Sequence, residues 1–214
     1  MMMSTHDAGT KLDQSYRIIT KPLAKRLARH RWITPNRVST AAFISGGLIA
    51  PALVSRRHRR AAGIAFMIGD LLDYLDGDVA RAQNKSSASG DMLDGIYDRY
   101  TDFFVLGAMM LASRTPSETN TDRSNELAVP VGLSALIGSL MPSYIKAVAV
   151  ANGHIGTVQS IGGRGTRNRI IWAGLLAGDT FWTLVIIGII SNYASIHRAH
   201  STLKEARRRE SETP

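Results

Sequence analysis

Hydrophobic residues in this chain gather into runs of membrane length, separated by short basic or glycine-rich stretches. The pattern predicts an all-α integral membrane protein. The first run extends from about Val38 to Ser55, the second from Ala61 to Arg81, the third from Gly90 to Ser113 and the fourth from Leu127 to Ala151. Beyond them, Ile170 to Gly178 and Phe181 to Ala194 are interrupted by Gly178-Asp179, and neither half reaches the roughly 20 residues that a crossing needs. We read them as two spans extended at both ends by amphipathic turns, giving about six transmembrane helices; one long re-entrant or tilted helix is the alternative.

The segments outside these runs have their own patterns. Residues 11–33 place Leu12, Tyr16, Ile19, Leu23, Leu27 and Trp32 at helical spacing with Lys21, Lys25, Arg26, Arg29 and Arg31 among them. This predicts an amphipathic helix on the membrane surface, or, as the alternative, an amphipathic helix of a soluble protein. Pro22 predicts a kink or a fresh helix start, and Thr34-Pro35-Asn36 reads as the cap before the first span. Residues 1–10 are polar, without the apolar core of a signal peptide, and are expected to be a disordered N-terminus. Arg114 to Glu126 reads as a loop and Gly153 to Arg169 as a Gly-rich basic connection. The expected organisation is one membrane domain over residues 11–200, followed by a charged C-terminal tail over 201–214 that extends the last helix and frays.

Acidic residues break the apolar pattern in two places. The second run ends on Asp70, Asp73, Asp76 and Asp78, and the third begins with Asp91, Asp94, Asp98 and Asp102. Asp73 and Asp76 are three apart and share a helix face; Asp94 and Asp98 are four apart and do likewise. The second span ends and the third begins at one membrane surface, so antiparallel packing brings these four carboxylates to one depth. Desolvating four unpaired anions would cost several kcal/mol each, so cations must compensate them. Carboxylate oxygens suit Mg²⁺ or Mn²⁺, one ion or two, and two acid-bound ions recur in displacement at phosphorus. Asp70, Asp78, Asp91 and Asp102 read instead as interfacial or as partners of neighbours such as Arg81 and Arg99.

Composition narrows the chemistry. With no Cys among 214 residues, disulfides, zinc-thiolate sites and cysteine nucleophiles are excluded. The net charge of +9 sits beside apolar runs and forms no nucleic-acid-reading motif. It therefore points to an anionic membrane surface and phosphate-bearing substrates, not to a nucleic-acid partner. A cytoplasmic N-terminus with six spans puts most Lys and Arg on the cytoplasmic side, against the dissenting Arg56-Arg57-His58-Arg59-Arg60 cluster.

Gly77 follows Asp76 and removes a side chain where a ligand could approach, and Ala80 keeps the next turn small. Arg81 then supplies a fork-shaped cation for phosphate, in preference to the snorkelling interface role an isolated arginine would have. The whole stretch runs Asp73-Tyr-Leu-Asp76-Gly77-Asp-Val-Ala80-Arg81, eight further residues, then Gly90-Asp-Met-Leu-Asp94-Gly-Ile-Tyr-Asp98. It resembles the signature of the CDP-alcohol phosphatidyltransferase family, DxxDGxxAR, a short spacer, GxxxDxxxD, with every fixed position present. The resemblance covers roughly residues 15–200, including the surface helix, Thr34-Pro35-Asn36 and Asp98-Arg99.

The resemblance implies a transferase that moves a phosphatidyl-type or archaetidyl-type group from a CDP-lipid donor to a polar alcohol and releases CMP. It implies nucleotide binding around Asp73, Gly77, Ala80 and Arg81, with Asn36 and Ser86 as further contacts. Metal coordination falls to Asp73, Asp76 and Asp94, with Asp98 contributing to a second metal and acting as general base on the acceptor hydroxyl. Membrane lipids surround such an enzyme, and homodimerisation is a family expectation.

Lys146, Arg164 and Arg167, with Arg169 beside them, form a second basic group that fits either a phosphate on the acceptor or ordinary positive-inside charge. Ser143-Tyr144-Ile145-Lys146-Ala147 followed by Arg164-Gly-Thr-Arg167 partly resembles the SYxRA and ERxxR patterns of inositol-phosphate-using members. Lys146 replaces an arginine of that pattern and Gly163 replaces its acid, so glycerol 3-phosphate and a non-phosphorylated alcohol stay open as acceptors. Two other classes compete: an intramembrane prenyltransferase binding Mg-diphosphate, which normally has a second aspartate-rich motif far downstream, and a non-catalytic membrane protein, in which Asp98 would be dispensable.

Overall fold

A computed structural model of the chain describes residues 11–30, 32–114, 122–153 and 163–212; the described residues are helices and short connections, with no strand among them. Helix α1 (Lys11–Leu27) precedes a rod made of α2 (Pro35–Phe43), a π-helical turn (Ile44–Ile49) and α3 (Ala50–Ser55). Then come α4 (Arg59–Ala82), α5 (Ala88–Ser113), α6 (Asp122–Ala151), α7 (Arg164–Ala177) and α8 (Phe181–Glu212). Residues 1–10, and most of the expected loops after Arg114 and Gly153, lie outside the described residues.

Local chemistry explains the boundaries. The Thr34 side chain accepts a hydrogen bond from the Arg37 N–H and Pro35 opens α2, as the Thr-Pro-Asn cap predicts. In the π-helical turn, Pro51 has no N–H to offer the Gly47 carbonyl, and the Ala50 N–H reaches back five residues to Ser45. Gly178, at φ 82°, ends α7 in the left-handed conformation, and the Asp179 carboxylate accepts from the Trp182 N–H at 3.1 Å to start α8.

The structure departs from the sequence pattern in four places. Pro22 lies inside α1 without ending it, between the buried Thr20 and Ala24. Helix α6 begins at Asp122, inside the expected loop. Helix α7 begins at Arg164, so Arg164, Arg167 and Arg169 stand on a helix and not on the expected glycine-rich connection. Helix α8 continues unbroken to Glu212, through most of the expected tail.

Two stretches, Pro35–Ser55 and Ser124–Ala151, are long and apolar enough to cross a bilayer, fewer than the six that the pattern predicts. Helices α4 and α5 have 24 and 26 residues but carry the acids. The 14 residues of α7 rise about 21 Å, short of the roughly 30 Å hydrocarbon layer.

The main core joins Val54, Phe66, Val105, Leu106, Met109, Ile171, Leu175, Leu184 and Ile187 from α3, α4, α5, α7 and α8. A smaller cluster of Ala24, Val38, Leu75 and Val79 seats α1 and α2 on the other half of α4. Burial there, reinforced by the Asp70 charge, pushes the Tyr16 phenol above its ordinary pKa. Large apolar side chains such as Ile64, Ile68, Leu111, Ile137, Ile189 and Ile196 face outward, the arrangement expected where lipid replaces water.

Helix α4 crosses the π-helical turn at close range, because Gly69 and Gly46 have no Cβ. A Cβ on Gly69 would lie 2.7 Å from the Gly46 nitrogen and 2.9 Å from its Cα, backbone atoms that cannot swing aside. Gly69→Ala is therefore expected to destabilise the protein by about 1–3 kcal/mol. Gly107→Ala, where a Cβ meets nothing within 4 Å, is expected to be neutral or to stabilise by up to about 1 kcal/mol. Thermal unfolding of both variants in one detergent checks the contrast; equal melting temperatures would mean that the α4 crossing tolerates a methyl group.

Candidate metal and nucleotide site

The acids meet because the connection from α4 to α5 is a tight reversal. Asn84, at φ 54°, takes the left-handed position after α4, and the Lys85 N–H donates back to the Ala80 carbonyl at 2.9 Å. Three residues later the Ser87 hydroxyl caps α5 by accepting from the Gly90 N–H at 3.2 Å. The last turns of α4 thus face the first turns of α5.

One carboxylate oxygen from each of Asp73, Asp76 and Asp94 lies within 4.8 Å of the others. Three hard anionic oxygens at this separation fit Mg²⁺ or Mn²⁺, which take oxygen ligands, and repel one another without a cation. Asp98 is buried one turn further along α5. Arg164 reaches in from the start of α7: its Nη1 and Nη2 donate to the two Asp73 oxygens at 2.8 and 3.0 Å. The same Nη2 lies 2.5 Å from Asp98 Oδ1, an ion pair without aligned hydrogen-bond geometry, since that oxygen has no hydrogen-bond partner.

The acids read as structural have protein partners, with one exception. Asp70 accepts from Asn168 at 2.6 Å, Asp78 from Thr20 and Arg81, and Asp102 from Arg167 at 2.6 Å with Arg99 at 3.5 Å. Asp91 stands exposed on the rim of a cleft.

Two clefts meet at the acid cluster. The outer one is lined by Asn36, Gly77, Ala80, Arg81 and Ser86 together with Asp76 and Asp94. All the residues expected to contact nucleotide, except Asp73, therefore share this one surface. The inner cleft brings together Asp73, Asp98 and Arg164 with Tyr97, Thr101 and Asn168. Ser39 lines both and donates its hydroxyl hydrogen to Asp76 Oδ2 at 2.5 Å.

The expected basic group does not assemble as a unit. Arg164 faces the acids, and Arg167 is buried against Asp102. Lys146 stands exposed on α6 and makes no ion pair among the described residues. Sequence reasoning missed Ser39 and Asn168, whose only signal is polarity inside helices that are otherwise apolar or basic. It also missed Lys85 and Ser87 on the rim of the outer cleft.

Comparison with known proteins agrees with this geometry. An archaetidylinositol phosphate synthase of Pyrococcus horikoshii is 30% identical over 80% of this chain and 85% of its own length. A phosphatidylinositol phosphate synthase of Mycobacteroides abscessus is 27% identical over 91% and 90%. A bifunctional IPC transferase and DIPP synthase of Aquifex aeolicus is 35% identical over 52% of this chain, which spans only 23% of that longer protein. The crystal structure of Mycobacterium tuberculosis phosphatidylinositol phosphate synthase with manganese and citrate superposes with a TM-score of 0.74 at 25% identity, covering 86% of this chain and 89% of that one. The same enzyme with CDP-DAG bound gives 0.73 at 24% identity over 86% and 94%, a likeness of fold. The family model described as CDP-alcohol phosphatidyltransferase matches residues 32–196, a match that sets aside the prenyltransferase alternative. With its signature assembled around one acid cluster and most of its length matched, the chain belongs to the CDP-alcohol phosphatidyltransferase family.

Proposed function

We propose that this protein transfers a phosphatidyl-type or archaetidyl-type group from a CDP-lipid to a phosphorylated polyol, with inositol phosphate favoured over glycerol 3-phosphate, and releases CMP. The observation that carries the reading is the join of the two clefts at the acid cluster. Asn36, Gly77, Ala80, Arg81 and Ser86 line one side, and Asp98 and Arg164 line the other. A donor held in the outer cleft would present its diphosphate to Asp73, Asp76 and Asp94, and an acceptor would enter beside Asp98.

A divalent cation bound by Asp73, Asp76 and Asp94, with Asp98 contributing to a second, would neutralise the diphosphate and stabilise the departing CMP. The chain's own residues then have distinct tasks. Gly77 and Ala80 keep the wall of the outer cleft low enough for the nucleotide, and Arg81 supplies a cation for its phosphates. Asp98 takes the proton of the acceptor hydroxyl as its oxygen attacks the lipid-bearing phosphorus, and the bond from that phosphorus to the CMP oxygen breaks. Arg164, at the start of α7 and already among carboxylates, is the cation best sited to meet a phosphate on the acceptor. In this reading Arg167 acts through its buried pair with Asp102, and Lys146 supplies outlying charge. The relatives named as archaetidylinositol phosphate and phosphatidylinositol phosphate synthases favour that acceptor for this chain.

In the same reading residues 11–200 form one multi-pass domain of about six membrane-embedded helices. Helix α1 lies on the membrane surface, and residues 201–214 form a charged extension. The site then faces the cytoplasm of a cell membrane, next to the basic N-terminal segment. A homodimer is the assembly proposed.

Purified protein with Mn²⁺ or Mg²⁺ is expected to release CMP from a CDP-lipid when supplied with inositol phosphate, more slowly with glycerol 3-phosphate, and not with serine. Chelation by EDTA should stop the reaction and added Mn²⁺ restore it. Silence with every acceptor would leave the chain a non-catalytic member of its family.

Asp98→Asn keeps the shape of the side chain and removes the base. Turnover is expected to fall by about 10²–10⁴-fold, while CDP binding followed by calorimetry changes little. Normal turnover in this variant would remove Asp98 from the chemistry.

A further inference from the structure

Arg81 is the arginine of the outer cleft, which Lys85 also lines, yet its side chain is 55% exposed. A long side chain at such exposure samples many rotamers unless something holds it. The holder here is Asp78, one turn back on α4, whose Oδ1 accepts from Arg81 Nη2 at 2.6 Å. The guanidinium is thereby laid over Gly77, where an added Cβ would stand 3.5 Å from both terminal nitrogens. Asp78 is itself buried, its side chain 4% exposed, and its second oxygen accepts from the Thr20 hydroxyl at 2.5 Å. Thr20 belongs to α1 and is fully buried. A hydrogen-bonded chain therefore runs from α1, through α4, to the cleft.

The rest of the α1 contact follows the same line. Tyr16 stacks on Tyr74 with ring centroids 4.9 Å apart, and Ala24 packs with Leu75 and Val79. Just past α4, Gln83 donates to the connection that follows α1, at the Ile33 carbonyl (2.8 Å) and the Ala28 carbonyl (3.4 Å). At 100° per residue, positions 74, 75, 78 and 79 lie on one face of α4, and Asp73, Asp76, Gly77 and Ala80 lie on the opposite one. Position 78 is unspecified in the DxxDGxxAR pattern, so this tie is a feature of the present chain and not of the signature.

We propose that α1 splints the nucleotide cleft, with Thr20 and Asp78 as positioning residues that hold Arg81 over Gly77 in the orientation that receives the donor's phosphates. The proposal rests on the reading of the outer cleft as the donor site. Without the Thr20 hydroxyl, Asp78 keeps Arg81 as its one partner among the described residues and loses this tie to α1. Without the Asp78 charge, Arg81 is released to solvent.

The test uses the full chain in detergent with Mn²⁺. CDP affinity is measured by calorimetry, KM by varying CDP-lipid and acceptor separately, and folding by thermal unfolding. Thr20→Val and Asp78→Asn are each expected to weaken CDP binding and raise the donor KM about tenfold, with kcat and the acceptor KM within about twofold of the parent. Thr20→Ser, which restores the hydroxyl, should match the parent in every measurement. The proposal is overturned if CDP affinity and donor KM are unchanged in both variants. It is equally overturned if donor KM, acceptor KM and kcat all deteriorate together in proportion to lost thermal stability, the mark of a merely structural contact. Should the parent bind CDP yet release no CMP, the functional reading fails while the CDP affinities of Thr20→Val and Asp78→Asn still decide the splint.

Discussion

The crowding of carboxylates at the α4–α5 reversal is the constraint around which the other helices are arranged. Seven aspartates, from Asp70 to Asp102 with the exposed Asp91 left aside, lie on two adjoining helices with limited access to water. Burying such anions without partners costs several kcal/mol each. The neighbouring helices each bring donors to them. Helix α1 supplies Thr20, α2 supplies Ser39, and α7 supplies Arg164, Arg167 and Asn168. These helices are positioned by what they donate as much as by the apolar core they share.

Not every carboxylate is satisfied in the same way. Asp78 and Asp102 have both hydrogen-bonding and cationic partners from the protein, and they sit away from the space between the clefts. Asp73, Asp76 and Asp94 direct oxygens toward one another, and a cation among them would relieve their mutual repulsion. Arg164 partly plays that role by clasping Asp73 and pairing with Asp98. Its guanidinium thus lines the inner cleft beside the acid cluster.

Close helix approach makes this arrangement fit. Glycines at 46 and 69 let the π-helical turn lie against α4, bringing Ser39, two turns before Gly46, within reach of Asp76. At Gly63 an added Cβ would come 2.9 Å from the Leu176 nitrogen, so α7 packs backbone to backbone on α4, and its first two turns present Arg164 and Asn168 to the acids.

Much of this was legible in the sequence. Apolar runs, the Thr34-Pro35 cap, the Gly178-Asp179 break and the spacing of the acids depend on local periodicity and turn chemistry, so the helices and the pairing of Asp73 and Asp76 with Asp94 followed from the chain alone. The division of the aspartates was readable in part: Asp70, Asp78 and Asp102 have protein partners, whereas Asp91 stands exposed and Asp73 and Asp98 also pair with Arg164. Tertiary structure alone decided the rest, because it depends on contacts between residues far apart in the chain. Arg164 reaches Asp73 across 91 positions and Thr20 reaches Asp78 across 58, distances over which no periodicity carries information. A basic triad inferred from charge separated for the same reason: Arg164 met the site, Arg167 was buried against Asp102, and Lys146 stayed exposed. Sequence set which charges the helices carry; helix packing set which of them face one another.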